Sequence, residues 1–390
     1  MLQGIEGLRA IGAFSVAISH SWDSPIRASA WFNGTFLVVD MFFVLSGYLV
    51  TMVYAERATN WRQGGGMIFN RLGRLYPTHI LLLGLLLLLL NLKMGLSLLL
   101  SALGIDAGMT PVGEQPEIFD LRYFLLTITL LHGVGIDDSD LFNFASWSIS
   151  AEFWAFVTLT SCFVLTRGRR RRIVFGIGAV ALCIAFYLAC WWQPATHSFD
   201  ASRLLDRNLA RSVMAYFVGM LAFELRGQYL EALSDRVIGA LQAITLLTIG
   251  LVICNQPWLF MSQIWSLPIW AALIISLSYG RGWAVSVLGC APMVWLGERS
   301  YGIYMVHSIV IIMIKHRVLM IGNPSLRTAM LLPYLAVVVV LGHLLYRYVE
   351  MPAAAWMKQR VRAYQARPAQ DDRGDGGPGH VAAVRVSSRT

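Results

Sequence analysis

Charge is what this chain has least of. Only 14% of its 390 residues are Asp, Glu, Lys or Arg, while 57% are hydrophobic. A soluble domain carries about a quarter charged residues, so that class is excluded and a polytopic membrane protein is expected. The five cysteines, Cys162, Cys183, Cys190, Cys254 and Cys290, fall within or beside apolar segments, which argues against a disulfide framework or a zinc site. P-loop, dinucleotide fingerprint, nucleophile elbow and HExxH motifs are all missing. So is any internal repeat of the kind that marks many secondary transporters. The first apolar segment begins almost at Met1 and carries Arg9, so it reads as a retained membrane helix rather than a cleaved signal.

Ten apolar segments are long enough to span a bilayer, near residues 5–22, 34–54, 75–93, 144–166, 173–192, 209–226, 237–254, 259–279, 300–318 and 329–349. Residues 119–135 (FDLRYFLLTITLLHGVG) are expected to be re-entrant or interfacial. A full span there would put the run Arg169–Arg172 on the side opposite Arg71 and Arg74. With the N-terminus inside, 21 Lys and Arg residues fall in cytoplasmic segments and nine in outer ones, as the positive-inside rule requires. The net charge of +9 is therefore assigned to cytoplasmic loops facing the lipid bilayer, with no nucleic-acid partner. Multi-pass residence in the cell inner (plasma) membrane follows, with both termini cytoplasmic. After Trp356 the composition turns to Arg, Asp, Gly, Ser and Pro, so residues 357–390 are expected to be a disordered cytoplasmic tail.

Polar residues inside apolar spans are costly and mark candidate sites. In GLRAIGAFSVAISH, Arg9 and His20 lie eleven residues apart, about 16.5 Å along one helix face. With Arg9 at one membrane face, His20 falls near mid-membrane, where it is either a satisfied core histidine or a functional base. The second span puts Asp40 and Ser46 into VVDMFFVLSGYLV. A buried Asp40 needs a partner, either His20 or Arg9, the latter as a structural ion pair. Arg71 and Arg74 in RLGRLYP share a face at i and i+3, suiting either a phosphorylated ligand or lipid headgroups. In ASWSISAEFWAF, Ser148 and Glu152 share a face, with Trp147 and Trp154 near the interface. Glu152 either orients His20 or packs helices, with Ser148 donating to it. The ninth span opens on a polar stripe, Ser300, Tyr304 and His307, that must face protein or water. Glu350 reads as an ion-pair partner for the inner loops, and Pro352 is expected to stop the tenth helix.

Taken in order, Arg9 and His20, VDMFFVLSGYL, RLGRLYP, WSISAEFW, GERSYGIYMVH and YVEMP resemble the integral membrane acyltransferase-three family of bacterial O-acyltransferases over residues 1 to about 356. The resemblance implies an all-α membrane-embedded domain over 1–356. It implies transfer of an acyl group, usually acetyl from cytoplasmic acetyl-CoA, to a hydroxyl of a glycan or other small acceptor, with no metal. Carried over by motif, Arg9 and His20 are the family's essential pair and Arg71 and Arg74 its donor-phosphate arginines. Glu152 and His307 match its other polar core positions. His20 would take the hydroxyl proton, with Arg9, Asp40 or Glu152 setting its tautomer, or would itself carry the acyl group. Many members also have a C-terminal extracytoplasmic esterase-like domain, which is expected to be missing here. The competing class is a proton-coupled transporter or flippase, with His20, Glu152 and His307 as a proton relay.

Overall fold

A computed structural model describes residues 2–104, 120–134, 136, 142–191, 207–227, 232–255 and 262–366. Sixteen α-helices follow in chain order: α1 Gln3–Ser19, α2 Ala30–Asn33, α3 Phe36–Tyr54, α4 Trp61–Ala102, α5 Leu121–Ile128, α6 Trp147–Leu165, α7 Gly168–Trp191, α8 Arg207–Leu225, α9 Asp235–Cys254, α10 Ser262–Ser278, α11 Trp283–Leu288, α12 Ala291–Glu298, α13 Ser300–Leu319, α14 Pro324–Ala329, α15 Leu331–Leu345 and α16 Met351–Ala366. A 3₁₀ turn, Phe144–Ser146, leads into α6, and a π-helical turn, Tyr346–Glu350, joins α15 to α16. No strand occurs among the described residues. Each of the ten expected spans coincides with a helix over its described residues, and among the described residues six helical stretches are long and apolar enough to cross a membrane by length and composition. The protein is an all-α polytopic membrane bundle.

Backbone approach at small residues sets the packing. Helices α3 and α8 cross so closely that a methyl group on Gly47 would land on the Tyr216 carbonyl, and one on Gly219 on the Val44 carbonyl. Close contact of this kind drives helix association where lipid supplies no hydrophobic force. Gly219→Leu is expected to force the two helices apart, at about 1–3 kcal/mol or more. A lowered unfolding temperature of the detergent-solubilised protein would show it, and an unchanged one would refute the crossing.

Among the described residues, 120–134 hold no helix long enough to span. Helix α5 has eight residues, about 12 Å of rise. The chain then turns through Leu130, whose φ of +56° lies in the left-handed region. The Leu130 carbonyl is held by Ser150 Oγ at 2.5 Å and Trp154 Nε1 at 2.8 Å, and Gly133 N donates to Ser150 Oγ at 3.0 Å. Three hydrogen bonds to Ser150 and Trp154 of α6 thus hold residues 130–133 against the bundle; residues 119 and 135 of the expected re-entrant or interfacial segment lie outside the described residues.

Two expectations at the C-terminal end are corrected. Pro352 does not stop the helix, and residues 357–366 are not loose tail. The π-turn immediately before Pro352 adds a residue to the helical register, the usual way a helix absorbs a local break in its hydrogen-bond ladder. Helix α16 then packs along the first turns of α4: Met357 meets Gly73, and Val361 with Gln365 meets Gly66. At 42 residues, α4 is about 63 Å long, twice a hydrocarbon core, so its first turns and α16 form a paired extension at one end. The part of the expected tail from 367 to 390 lies outside the described residues.

Candidate active site

Polar side chains that the sequence scatters over five helices converge in the bundle. A cavity of about 100 Å³ is lined by Arg9 from α1, Ser46 from α3, Arg71 and Arg74 from α4, Ser148 and Glu152 from α6, and Ser300, Tyr301 and Tyr304 from α13. The stripe Ser300, Tyr304 and His307 is buried, His307 fully so.

Each arginine of the cavity has a carboxylate. Arg71 pairs with Glu152 through Nη2, and the same carboxylate oxygen accepts from Ser46 Oγ at 2.5 Å and Tyr216 OH at 3.3 Å. Arg74 Nε meets Glu350 Oε1 at 3.0 Å, so Glu350 is the ion-pair partner its position suggested. Arg9 Nη1 meets Glu6 Oε2 on its own helix at 2.8 Å. Two guanidinium groups three residues apart therefore do not wait for an anion to offset their repulsion. Arg71 is largely enclosed with its carboxylate, whereas the Arg74 side chain keeps 40% exposure and can still receive a ligand.

Several expected contacts are replaced by others. Asp40 meets neither Arg9 nor His20; it is fully buried and bonds Arg211 Nε at 2.5 Å, with Arg211 also donating to the Phe36 carbonyl at 2.5 Å. The α3–α8 crossing decides this, because it places Arg211 opposite Asp40. Trp147 serves that pair: its indole lies 6.0 Å from the Arg211 guanidinium, on the face an arginine favours. Glu152 turns to Arg71 and not to His20. Ser148 Oγ bonds the Ala145 carbonyl at 3.2 Å and the Tyr304 hydroxyl at 2.8 Å in place of Glu152. Removing one member of a buried ion pair costs about 3–5 kcal/mol. Asp40→Asn is expected to lower the unfolding temperature sharply, and the double change Asp40→Leu with Arg211→Met to recover most of it. Equal stability of the single variant and wild type would deny the pair.

His20 follows the last residue of α1 and is exposed, while His307 lies fully buried beneath it. His307 Nε2 is 3.4 Å from His20 Nδ1, and the rings stack with centroids 5.4 Å apart. His307 Nδ1 contacts the Tyr304 carbonyl, an acceptor, so it carries the proton and leaves Nε2 as a lone pair. His20 Nδ1 faces the Val16 carbonyl at 3.0 Å as well as that lone pair. The network thus assigns the His20 proton to Nδ1 and leaves Nε2 as an unshared base. Trp22 Nε1 on the Arg327 carbonyl at 2.7 Å and Tyr334 OH on the Ala17 carbonyl at 3.0 Å hold this end of α1 in place. Phe144, 4.9 Å from the His20 ring, packs on it from the turn before α6, while Asn143 ties that turn to α13 by donating to the Met305 carbonyl at 3.1 Å. Arg9 lines the cavity and His20 does not; the rings of Tyr304 and His307 stand in contact between the cavity and His20.

Tyr216 and Arg211 were not singled out from the sequence. Arg211 left a signal, since it and Asp40 are isolated opposite charges on apolar helices; Tyr216 left none, as a tyrosine among apolar residues reads as packing. No group of three or more potential metal ligands occurs among the described residues.

A family model described as "Acyltransferase domain" (Acyl_transf_3) matches residues 2–347. A Bacillus subtilis protein named as a candidate peptidoglycan O-acetyltransferase, YrhL, is 26% identical over 372 residues, 90% of this chain and 54% of that protein. The Listeria monocytogenes peptidoglycan O-acetyltransferase OatA is 25% identical over 380 residues, covering 89% of this chain and 55% of that one. A candidate O-acetyltransferase from Staphylococcus aureus is 24% identical over 386 residues, covering 94% and 59%. The chain spans little more than half the length of these relatives. No solved structure matches it. With residues 2–347 matched by the family model, the chain belongs to the acyltransferase-three family of membrane proteins.

Proposed function

We propose that the protein transfers an acetyl group from acetyl-CoA to a hydroxyl of a cell-envelope glycan, peptidoglycan in kind. Family membership and the names of its relatives support the reaction class. The observation that carries the chemistry is the geometry at His20, an exposed ring stacked on buried His307, whose Nδ1 contacts leave Nε2 as the lone pair. In the proposed reaction Nε2 takes the proton of the acceptor hydroxyl as its oxygen attacks the thioester carbonyl. The carbon–sulfur bond breaks, and the proton passes to the departing thiolate, giving an O-acetyl ester and free CoA. His307 accepts from His20 Nδ1–H and fixes the reactive tautomer, the orienting role a base requires. His20 keeps in this reading the base role that the motifs imply, whereas Arg9, expected to set its tautomer, pairs with Glu6 and lines the cavity instead.

The donor enters in this reading from the end that carries α16, which holds the larger share of Lys and Arg and is therefore cytoplasmic in the inner membrane. The experiment is thiol release: purified protein in lipid nanodiscs is given acetyl-CoA with and without glycan oligomers, and free CoA is titrated. Release that rises with acceptor supports transfer. A carrier for a glycan has no reason to cleave a thioester, so no release under either condition would remove the proposal in favour of transport.

A further inference from the structure

A second cavity, of about 420 Å³, lies between the first turns of α4 and helix α16. Its wall carries Arg57, Arg74, Lys358 and Arg362, and no carboxylate is part of it. Among the described residues no carboxylate pairs with Arg57, Lys358 or Arg362, whereas Arg71 is held by Glu152. Asn70, also in the wall, has a buried Oδ1 with no partner. Unpaired cations gathered round a recess repel one another, and a multiply charged anion reverses the sign of that energy. Arg74 lines this cavity and the inner one as well, so its side chain borders both.

Size separates their roles. The inner cavity, about 100 Å³, is far below the roughly 300–1,000 Å³ of sites that enclose a whole small ligand, whereas the outer one falls within that range. We propose that the α4–α16 cavity is the docking site for the phosphorylated nucleotide end of the donor, with Arg57, Lys358 and Arg362 binding its phosphates. The inference rests on the acyl-CoA reading above and moves the phosphate contacts away from Arg71. The nucleotide remains at the α16 end, and the pantetheine arm passes Arg74 and the small cavity to carry the thioester past Tyr304 toward His20. Asn70 Oδ1 is an acceptor for an N–H group of the bound nucleotide. Helix α16, continued past Pro352 by the π-turn, is then a binding element and not a tail.

The test uses the full chain in phosphatidylcholine nanodiscs and, in parallel, in discs containing phosphatidylglycerol. Two quantities are read: the KM for acetyl-CoA, and direct binding of adenosine 3′,5′-bisphosphate. Lys358→Gln with Arg362→Gln is expected to raise KM about tenfold or more, the loss of charge-assisted phosphate contacts, with kcat little changed and bisphosphate binding weakened in step. Arg57→Gln, on a different element, is expected to raise KM as well, which guards against a folding defect in α16. Arg360→Gln, whose guanidinium stacks over Trp356 at 5.2 Å and lies outside the cavity wall, is expected to leave both quantities unchanged. Wild-type KM and bisphosphate binding in the double variant would overturn the site. An effect confined to discs with phosphatidylglycerol would assign the cations to lipid headgroups and overturn it equally. If the wild-type protein binds the bisphosphate through Lys358 and Arg362 yet releases no thiol, the phosphate site stands and the acyl-transfer reading falls; if it neither binds nor releases, both fall.

Discussion

His20→Gln is expected to lower kcat for acetyl transfer by about 10²–10⁴, the usual contribution of a positioned general base. Yield, membrane insertion and the KM for acetyl-CoA should stay near wild type. The side chain is exposed, so no packed core depends on it. Its polar contacts run through Nδ1, to Val16 and His307, and glutamine offers no base at the Nε2 position. His307→Gln is expected to act through His20: kcat falls and its pH profile shifts, because the tautomer of His20 is no longer imposed. His20→Gln retaining near wild-type kcat would remove the base from the account. A His307→Gln variant with unchanged kcat and an unchanged pH profile would make the stack a packing contact.

The second large effect concerns the buried Arg71–Glu152 pair. Glu152→Gln leaves a guanidinium in the bundle without its counter-charge, and Arg71→Met leaves a carboxylate likewise. Each single change is expected to destabilise by about 3–5 kcal/mol, while Arg71→Met with Glu152→Leu together is expected to cost much less. The three helices α3, α4 and α6 meet at this pair, because Ser46 and Arg71 both reach the Glu152 carboxylate. Transfer should therefore fall in the single variants through loss of folded protein, with the KM of the surviving fraction close to wild type. Thermal unfolding in detergent measures the first part and kinetics normalised to folded protein the second. A large rise in KM for acetyl-CoA in Arg71→Met, at unchanged stability, would return Arg71 to the donor phosphate.

Hydrophobic runs made the bundle legible in the sequence, since a span needs about 20 apolar residues whatever its neighbours do. The candidate polar residues were legible for a related reason: Asp40, Glu152 and His307 are conspicuous in apolar segments because their burial requires partners. Which partner each one takes was not legible. Asp40 goes to Arg211 because α3 crosses α8 at Gly47 and Gly219, a tertiary fact with no trace in residue spacing. The i, i+3 spacing of Arg71 and Arg74 places both on one helix face, yet Arg71 turns inward to Glu152 and Arg74 to Glu350, on different neighbours. Helix α16 was hidden by its charge: a helix that packs one narrow side on glycines of α4 has little apolar signal of its own. Pro352 then looked like a stop, because a π-turn cannot be read from composition.

The most direct measurement of the central claim follows the acetyl group itself. Purified protein in nanodiscs is given acetyl-CoA carrying a ¹³C-labelled acetyl group together with a peptidoglycan oligomer, and product and free thiol are quantified together by mass spectrometry. Labelled O-acetyl ester is expected on the glycan in equal amount to the CoA released, abolished in His20→Gln and lost on mild alkaline treatment. Thiol release without labelled ester on the glycan, or full ester formation by the His20→Gln protein, would contradict that claim.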